Sequence, residues 1–372
     1  MKRLLLLGGG HSHVEVIRRL GLQPPRDTRI VLASPDRYTP YSGMLPGFVA
    51  GHYDFHGCHI DLERLCKTAG VEFRECHAVG IDPAANRVDC SDGSALDFDV
   101  LSINIGSTPA AHDVPGALDH AIRVKPVSTF INTWNSILEA GKHDGAPLRI
   151  AVVGGGAGGM ELALAMHFRM LAGNRTAAIH LFTDTPTILP SHSSGVRRIF
   201  ERVLEKRGIA VHPRSKIIKI ERGVLFPESG EPFHAEHIVW ATAASAPGWI
   251  AASGIQTDER GFVAVNDALQ SLSHPRIFAA GDIAGMVNHP RPKSGVYAVR
   301  QGPPLAENLQ RALSGKPLIA YTPQKIALAL ISTGDKYAVA VYGVIVLEGK
   351  WVWRWKDYID RRFVAAYRAD AR

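Results

Sequence analysis

"LRIAVVGGGAGGMELALA", residues 148–165, decides the fold. The apolar run 150–153 reads as a buried strand, and 160–165 continues as a good helix former. Between them Gly154, Gly156 and Gly159 complete a G-x-G-x-x-G spacing. The first glycine permits a sharp turn. The second lets backbone approach a pyrophosphate, and the third lets the helix pack close to the strand. Ala157 and Gly158 fall where the amides that open a helix receive phosphate.

A near copy stands at the start of the chain. "LLLLGGGHSHVEV", residues 4–16, keeps Gly8 and Gly10 but puts His13 in the third glycine's place. One such turn is weak; two, each between an apolar strand and a helix, argue for two nucleotide folds. His13 there widens the gap between helix and strand. His11 and His13, with Ser12 between them, are either phosphate donors or solvated turn histidines. About 20 residues after each turn an acid should grip a ribose. The first strand, "RIVLASP" (29–35), ends instead on Ser34 and Pro35, with Arg37 just beyond. The second, "AIHLFTD" (178–184), ends on Thr183 followed by Asp184. A hydroxyl bonds a ribose without a carboxylate's strength, and Asp184 serves if the turn is shifted by one residue. NADH and NADPH both stay open.

The composition is that of an ordinary globular chain long enough for two or three domains: 372 residues, 46% hydrophobic, 21% charged. The net charge of +7 favours acidic ligands without choosing among them. No basic run interleaved with aromatics argues for nucleic acid. The leucines after Met1 are cut short by Gly8, so they read as a strand and not as a leader. "YAVAVYGVIVL" (337–347) is too short to span a bilayer. The four cysteines, Cys58, Cys66, Cys76 and Cys90, form no C-x-x-C pair and read as reduced thiols of a cytoplasmic protein. His52, His56, Cys58 and His59 cluster, but no second half-site accompanies them, and no metal is expected.

Three further stretches fall in a telling order. They are "DFDVLSINIGSTP" (97–109), with Asn104, Ile105 and Gly106; "HIVWATAAS" (237–245), with Ala243; and "HPRIFAAGDIA" (274–284), with Gly281 and Asp282. With the two glycine turns they resemble the FAD-dependent pyridine nucleotide–disulfide oxidoreductases over roughly residues 1–320. Ile105 and Ala243 depart from that pattern. The resemblance implies an α/β fold of two nested Rossmann-like dinucleotide-binding domains and a small C-terminal α+β unit. FAD would occupy 1–115 with 262–320, NAD(P)H would occupy 116–261, and 321–372 would form the tail. It implies that Asp282 binds the ribityl chain, and that Pro40, Ala78, Val79, Val296 and Tyr297 also line the flavin site.

The family's C-x4-C or C-x2-C redox pair is missing. "TPYSGMLPG" (39–47) and "RPKSGVYAVRQGPPLAENL" (291–309) instead resemble type II NADH dehydrogenases and apoptosis-inducing-factor-like quinone reductases. "GGGHSHVEV", "SPDRYTPYSGMLPG" and "KDYIDRRF" resemble the subfamily often fused ahead of selenophosphate synthetase. The chemistry implied is hydride transfer from NAD(P)H to flavin, then electrons to a quinone-like or other small acceptor. Alternatives are a protein electron carrier, a selenium or sulfur species, or a redox sensor with little turnover.

Glu161 resembles the family glutamate near the nicotinamide; otherwise it is a helix-surface residue. Lys293, before a helix start, either stabilises charge on reduced flavin or is a solvated loop lysine. Tyr297 and Gln301 share a helical side, and Pro303-Pro304 should break that helix. In the tail, 337–355 reads as a hairpin turning at Leu347-Glu348-Gly349-Lys350. A helix follows over 355–368, with Trp355, Ile359, Phe363 and Tyr367 on one face and Lys356, Arg361, Arg362 and Arg368 elsewhere. That helix covers the flavin domain, forms a homodimer, or docks peripherally on the inner face of a membrane.

Overall fold

The computed structural model describes residues 1–111, 113–140 and 147–368. Lys2–Leu7 (β1) runs into His11–Leu22 (α1), and Thr28–Ser34 (β2), Glu72–Glu75 (β3) and Val100–Ile103 (β4) follow. All pair in parallel, in the spatial order β4–β1–β2–β3. Leu4, Leu5, Leu6 and Leu7 are all buried. A central parallel strand is covered on both faces, so it needs an unbroken apolar run, not alternation. Burial of each such leucine contributes roughly 1.5–3 kcal/mol.

Ile122–Arg123 (β5), Leu148–Val153 (β6), Ala157–Ala172 (α2), Ala177–Phe182 (β7), Ala210–His212 (β8) and His237–Trp240 (β9) repeat the plan. Their sheet is ordered β5–β9–β6–β7–β8. The chain then returns to the first sheet, where Ile277–Ala279 (β10) pairs with β4. In each sheet the strand order reverses beside the strand that carries the glycine turn, at β1/β4 and at β6/β9. Ligands of open α/β sheets bind at such switch points.

Gly295–Leu313 (α3) packs on α1. It runs unbroken through Pro303 and Pro304, contrary to the break that the sequence suggests. The contact explains why: a Cβ on Gly302 would lie 2.7 Å from the Cβ of Glu15. Close packing on α1 offsets the two missing amide hydrogen bonds.

The tail holds Ala329–Ser332 (β11), Ala338–Tyr342 (β12), Ile345–Gly349 (β13) and Lys350–Ala365 (α4). The hairpin turns at Gly343, φ 58°, and not at 347–350, because a two-residue loop wants a left-handed residue there. The helix starts at Lys350, earlier than the sequence suggests. Its buried stripe is Val352, Lys356, Asp360 and Val364, so Lys356 faces inward while Trp355 is exposed.

One expectation about the thiols fails. Cys76 and Cys90 are disulfide-bonded, with Cα atoms 6.0 Å apart. The antiparallel flap after β3 pairs Ala78 with Cys90 and folds the 14-residue separation back on itself. Cys58 and Cys66 are buried thiols, and burial pushes each up to about 12.

Candidate active site

The second glycine turn has the geometry of a phosphate cradle. Gly154 sits at φ 130°, and a Cβ there would meet the Ala241 carbonyl at 2.3 Å. A Cβ on Gly159 would lie 2.0 Å from the Gly154 oxygen, whereas one on Gly156 or Gly158 would meet nothing within 4 Å. Turn and packing thus fix the outer glycines, while the middle ones face open space. No side chain caps α2, so the first-turn amides of Ala157, Gly158 and Gly159 remain available to an anion. These features fit a dinucleotide pyrophosphate.

The first turn is built differently. Gly8 is at φ 89°, and Gly10 lies against Asn104, whose Oδ1 would be 2.4 Å from an added Cβ. Asn104 Oδ1 accepts from the amides of Ser12 and His13, both at 3.1 Å, and its Nδ2 donates to Ala280 at 2.6 Å. Asn104 therefore caps α1 and ties it to the end of β10. Ser12 and His13 are fully buried. Ser12 donates to the Ala298 carbonyl. His13 Nδ1 donates to the Gly8 carbonyl at 2.6 Å, and Nε2 accepts from the Ser102 hydroxyl at 2.8 Å. Burial pushes His13 down to about 4, so the ring is neutral and both nitrogens are used inside the fold. His11 is the less buried of the two histidines. It stacks near Tyr41 and Phe363 and accepts from the Ser42 amide at 3.3 Å. Burial pushes it too down to about 4.

Other predicted residues divide the same way. Gly106 is at φ 75° with open space around it. Gly281 donates its amide to Gln301 at 2.6 Å, which draws Gln301 behind the turn. Ser34 is buried and donates to the Asp36 carbonyl, and Pro35 follows it at the strand end. Arg37 is spent on Asp61 and Glu63. Pro40 pairs with His59 in a short ribbon, and Val79 is exposed beside Ala78 on the flap. Val296 and Tyr297 form the first turn of α3. Thr183 is buried with its hydroxyl 2.7 Å from that of Thr185, and Asp184 is exposed. Ala243 accepts from the Ala110 amide, between the two folds. Ile105 packs against the first core.

Lys293 donates to the Ala284 carbonyl at 2.6 Å and lies 3.9 Å over the Phe262 ring. Burial pulls it down to about 8. It lines a cavity of about 210 Å³ together with Asp282, Arg260 and Tyr297. Asp282 accepts from Lys125 at 2.9 Å and from Ser107 at 3.0 Å. Burial opposes ionisation there, but Lys125 and Ser107 outweigh it and hold the carboxyl below its ordinary range.

Glu161 is not a helix-surface residue. Its Oε1 accepts from the Ser332 amide at 2.7 Å and hydroxyl at 3.1 Å, where β11 of the tail ends. Burial raises its pKa, against the nearby charge of Lys356. Lys356 donates to Asp360 and to the Gly43 carbonyl, both at 2.5 Å. Gly43 belongs to the loop 39–47, so α2, the tail and the first fold meet at one place. Sequence reasoning missed Lys356, Asp360, Lys125 and Tyr41. Only the i,i+4 spacing of Lys356 and Asp360 could have signalled two of them.

Known proteins share this architecture. A family model described as pyridine nucleotide-disulphide oxidoreductase matches residues 2–302. The NADH dehydrogenase-like protein YutJ of Bacillus subtilis is 24% identical over 342 residues, 90% of this chain and 91% of that protein. A type II NADH:quinone oxidoreductase of Staphylococcus aureus is 23% identical over 85% of this chain and 83% of its own length. Among solved structures, the sulfide:quinone oxidoreductase of Aquifex aeolicus has a TM-score of 0.82 at 20% identity, covering 99% of this chain and 92% of that one.

Proposed function

The chain belongs to the pyridine nucleotide-disulphide oxidoreductase family, and from that premise we propose that its acceptor is a quinone-like small molecule met at a membrane surface. It is an FAD-dependent NAD(P)H oxidoreductase. FAD, when bound, supplies the chemistry of accepting hydride from the nicotinamide and passing both electrons onward. Reduction of a quinone then consumes NAD(P)H and one proton from water and yields NAD(P)+ and quinol.

In this reading Gly8, Gly10 and His11 hold the FAD pyrophosphate, Asp282 the ribityl chain, and Ser34 the adenosine ribose. The amides of Ala157, Gly158 and Gly159 hold the NAD(P)H pyrophosphate, with Thr183 at its ribose. The observation that carries the proposal is the meeting of Glu161, Ser332, Lys356 and Gly43. Glu161 is a carboxyl whose burial favours the protonated form. With Oε1 accepting from Ser332, it can hold a proton at Oε2 for an acceptor oxygen, and the Lys356 ammonium can stabilise negative charge there.

A membrane supplies lipophilic acceptors, and the tail supports contact with one. Val344 is 97% exposed, and Ile345, Trp351, Trp355 and Tyr358 are exposed near it. Lys350, Arg354 and Arg362 flank them on α4. No helix among the described residues is long and apolar enough to cross a bilayer, so the contact is with a surface.

The test uses purified protein without oxygen. FAD colour should bleach on adding NADH or NADPH and return on adding a soluble quinone. Glu161→Gln should keep the colour and the bleaching but slow the return by roughly a hundredfold. A colourless chain that takes up no FAD would overturn the reading. Bleaching reversed by a protein carrier or polysulfide, but not by quinones, would move the acceptor elsewhere.

A further inference from the structure

The side chain of Lys125, to which no step of the proposed reaction is assigned, crosses from one fold to the other. It follows β5 at the edge of the second sheet, and its neighbour Val124 donates to the Trp240 carbonyl of β9. Its ammonium reaches Asp282, in the turn after β10 of the first sheet, at 2.9 Å, and Ser107 at 2.8 Å. Ser107 itself donates to Asp282 at 3.0 Å. Ser107 lies in the segment that leaves β4 for the second fold. Three separate segments thus close a triangle.

Both bonds to the carboxylate end on the same oxygen of Asp282. Lys125 and Ser107 each donate to Oδ2. Oδ1 accepts no hydrogen bond among the described residues. The side chain of Asp282 is 17% exposed and that of Lys125 is 35% exposed. One carboxylate oxygen is anchored and the other is presented, which is the form a hydroxyl-bearing ligand chain requires.

We propose that Lys125 is a positioning residue for the flavin, anchoring Asp282 so that its other oxygen accepts from the ribityl chain and thereby coupling FAD retention to docking of the two folds. The inference rests on the reading in which FAD occupies the first cradle. The role is electrostatic as well as steric. Burial alone would favour a protonated Asp282, and a protonated carboxyl offers a poorer acceptor. The charged or titratable groups that face Asp282 are Lys125, His11 on α1, and Lys293 before α3. His11 is held neutral by burial, and the Lys293 ammonium is bonded to Ala284. Lys125 is the cation in direct contact.

The experiment follows FAD release from the full-length holoprotein as pH falls, read by the rise in free-flavin fluorescence. Wild type should release FAD with a midpoint set by Asp282. Lys125→Met should move that midpoint upward by about 1–2 pH units and weaken FAD binding at least tenfold at neutral pH. Lys125→Arg should restore most of both. Asp282→Asn should weaken FAD binding with no such midpoint, and adding Lys125→Met to it should change little. Should the methionine variant fail to fold, Lys125→Gln keeps most of the stem and is read in the same way. A Lys125→Met or Lys125→Gln protein with the wild-type midpoint and affinity overturns the proposal. So does an arginine variant as impaired as the methionine one, which would mean packing and not charge. A wild-type chain that binds no FAD refutes instead the reading on which the proposal rests.

Discussion

Replacing Lys356 by methionine should destabilise the protein out of proportion to the size of the change. The lysine and Asp360 are 8% and 7% exposed in their side chains and lie 2.5 Å apart. Methionine keeps the stem's volume but leaves a carboxyl with no cation in a dry place. Breaking a buried pair in this way costs roughly 3–5 kcal/mol. Unfolding entropy of about 2.1 cal/mol/K per residue gives roughly 0.8 kcal/mol/K for a chain of this length, so the melting temperature should fall by about 4–6 °C. Burial already raises the pKa of Asp360, with Lys356 opposing, and the variant should raise it further. In the variant a folded-state pKa above the unfolded one makes the penalty full at high pH. It should shrink as pH falls through the raised folded pKa toward the ordinary carboxylate range of the unfolded chain, so the gap to wild type narrows on acidification. Lys356→Met with Asp360→Leu removes both charges and should recover at least half of the loss. Calorimetry on the FAD-loaded protein measures all of this. A single variant within about 1 °C of wild type at neutral pH, or a double variant as unstable as the single one, would refute the reasoning.

Two further outcomes can be checked with the same material. His13 is fully buried and neutral, with a folded pKa of about 4 against 6.5. Its contribution is whole above pH 6.5 and fades as pH falls through 4, by up to about 3 kcal/mol. His13→Ala should therefore flatten the loss of melting temperature between those limits, whatever it does to stability at neutral pH; an unchanged slope would count against a neutral ring. In the tail, serine at Trp351, Trp355 and Tyr358 together should weaken binding to phosphatidylglycerol vesicles at least tenfold, since each buried aromatic is worth about 1.5–3 kcal/mol. Sedimentation of protein with vesicles reads this, and equal binding by the variant would exclude that face as the lipid contact.

The two nucleotide folds were legible because their signals are local. An apolar run, a glycine turn and a helix former stand side by side at 148–165 and again at 4–16, and each needs only its own neighbours to make sense. The switch points at β1/β4 and β6/β9 follow from that repeat. The misreadings come from places where a distant partner decides. Pro303 and Pro304 stay inside α3 because Gly302 lets α1 come close. Cys76 meets Cys90 because a flap folds back. The hairpin turns at Gly343 because its backbone is left-handed, where the more polar 347–350 looked the better turn.

The site shows the same division more sharply. Glycines could be assigned from spacing, since their role lies in the backbone. His13 could not, because a histidine in a turn reads as a donor until Ser102, 89 residues away, is seen to occupy its Nε2. Lys356 is the hardest case. A helical wheel sorts charges outward, and on that rule it belongs to the wet face with Arg361 and Arg362. What reverses the rule is that Asp360 one turn on shares its burial and the Gly43 carbonyl gives it a second acceptor. A buried cation with both partners supplied is tolerated where an unpaired one is not. Charges on the inward stripe of an otherwise amphipathic helix, spaced i,i+4 and opposite in sign, therefore point to a site beneath that helix. Here the place beneath holds Glu161.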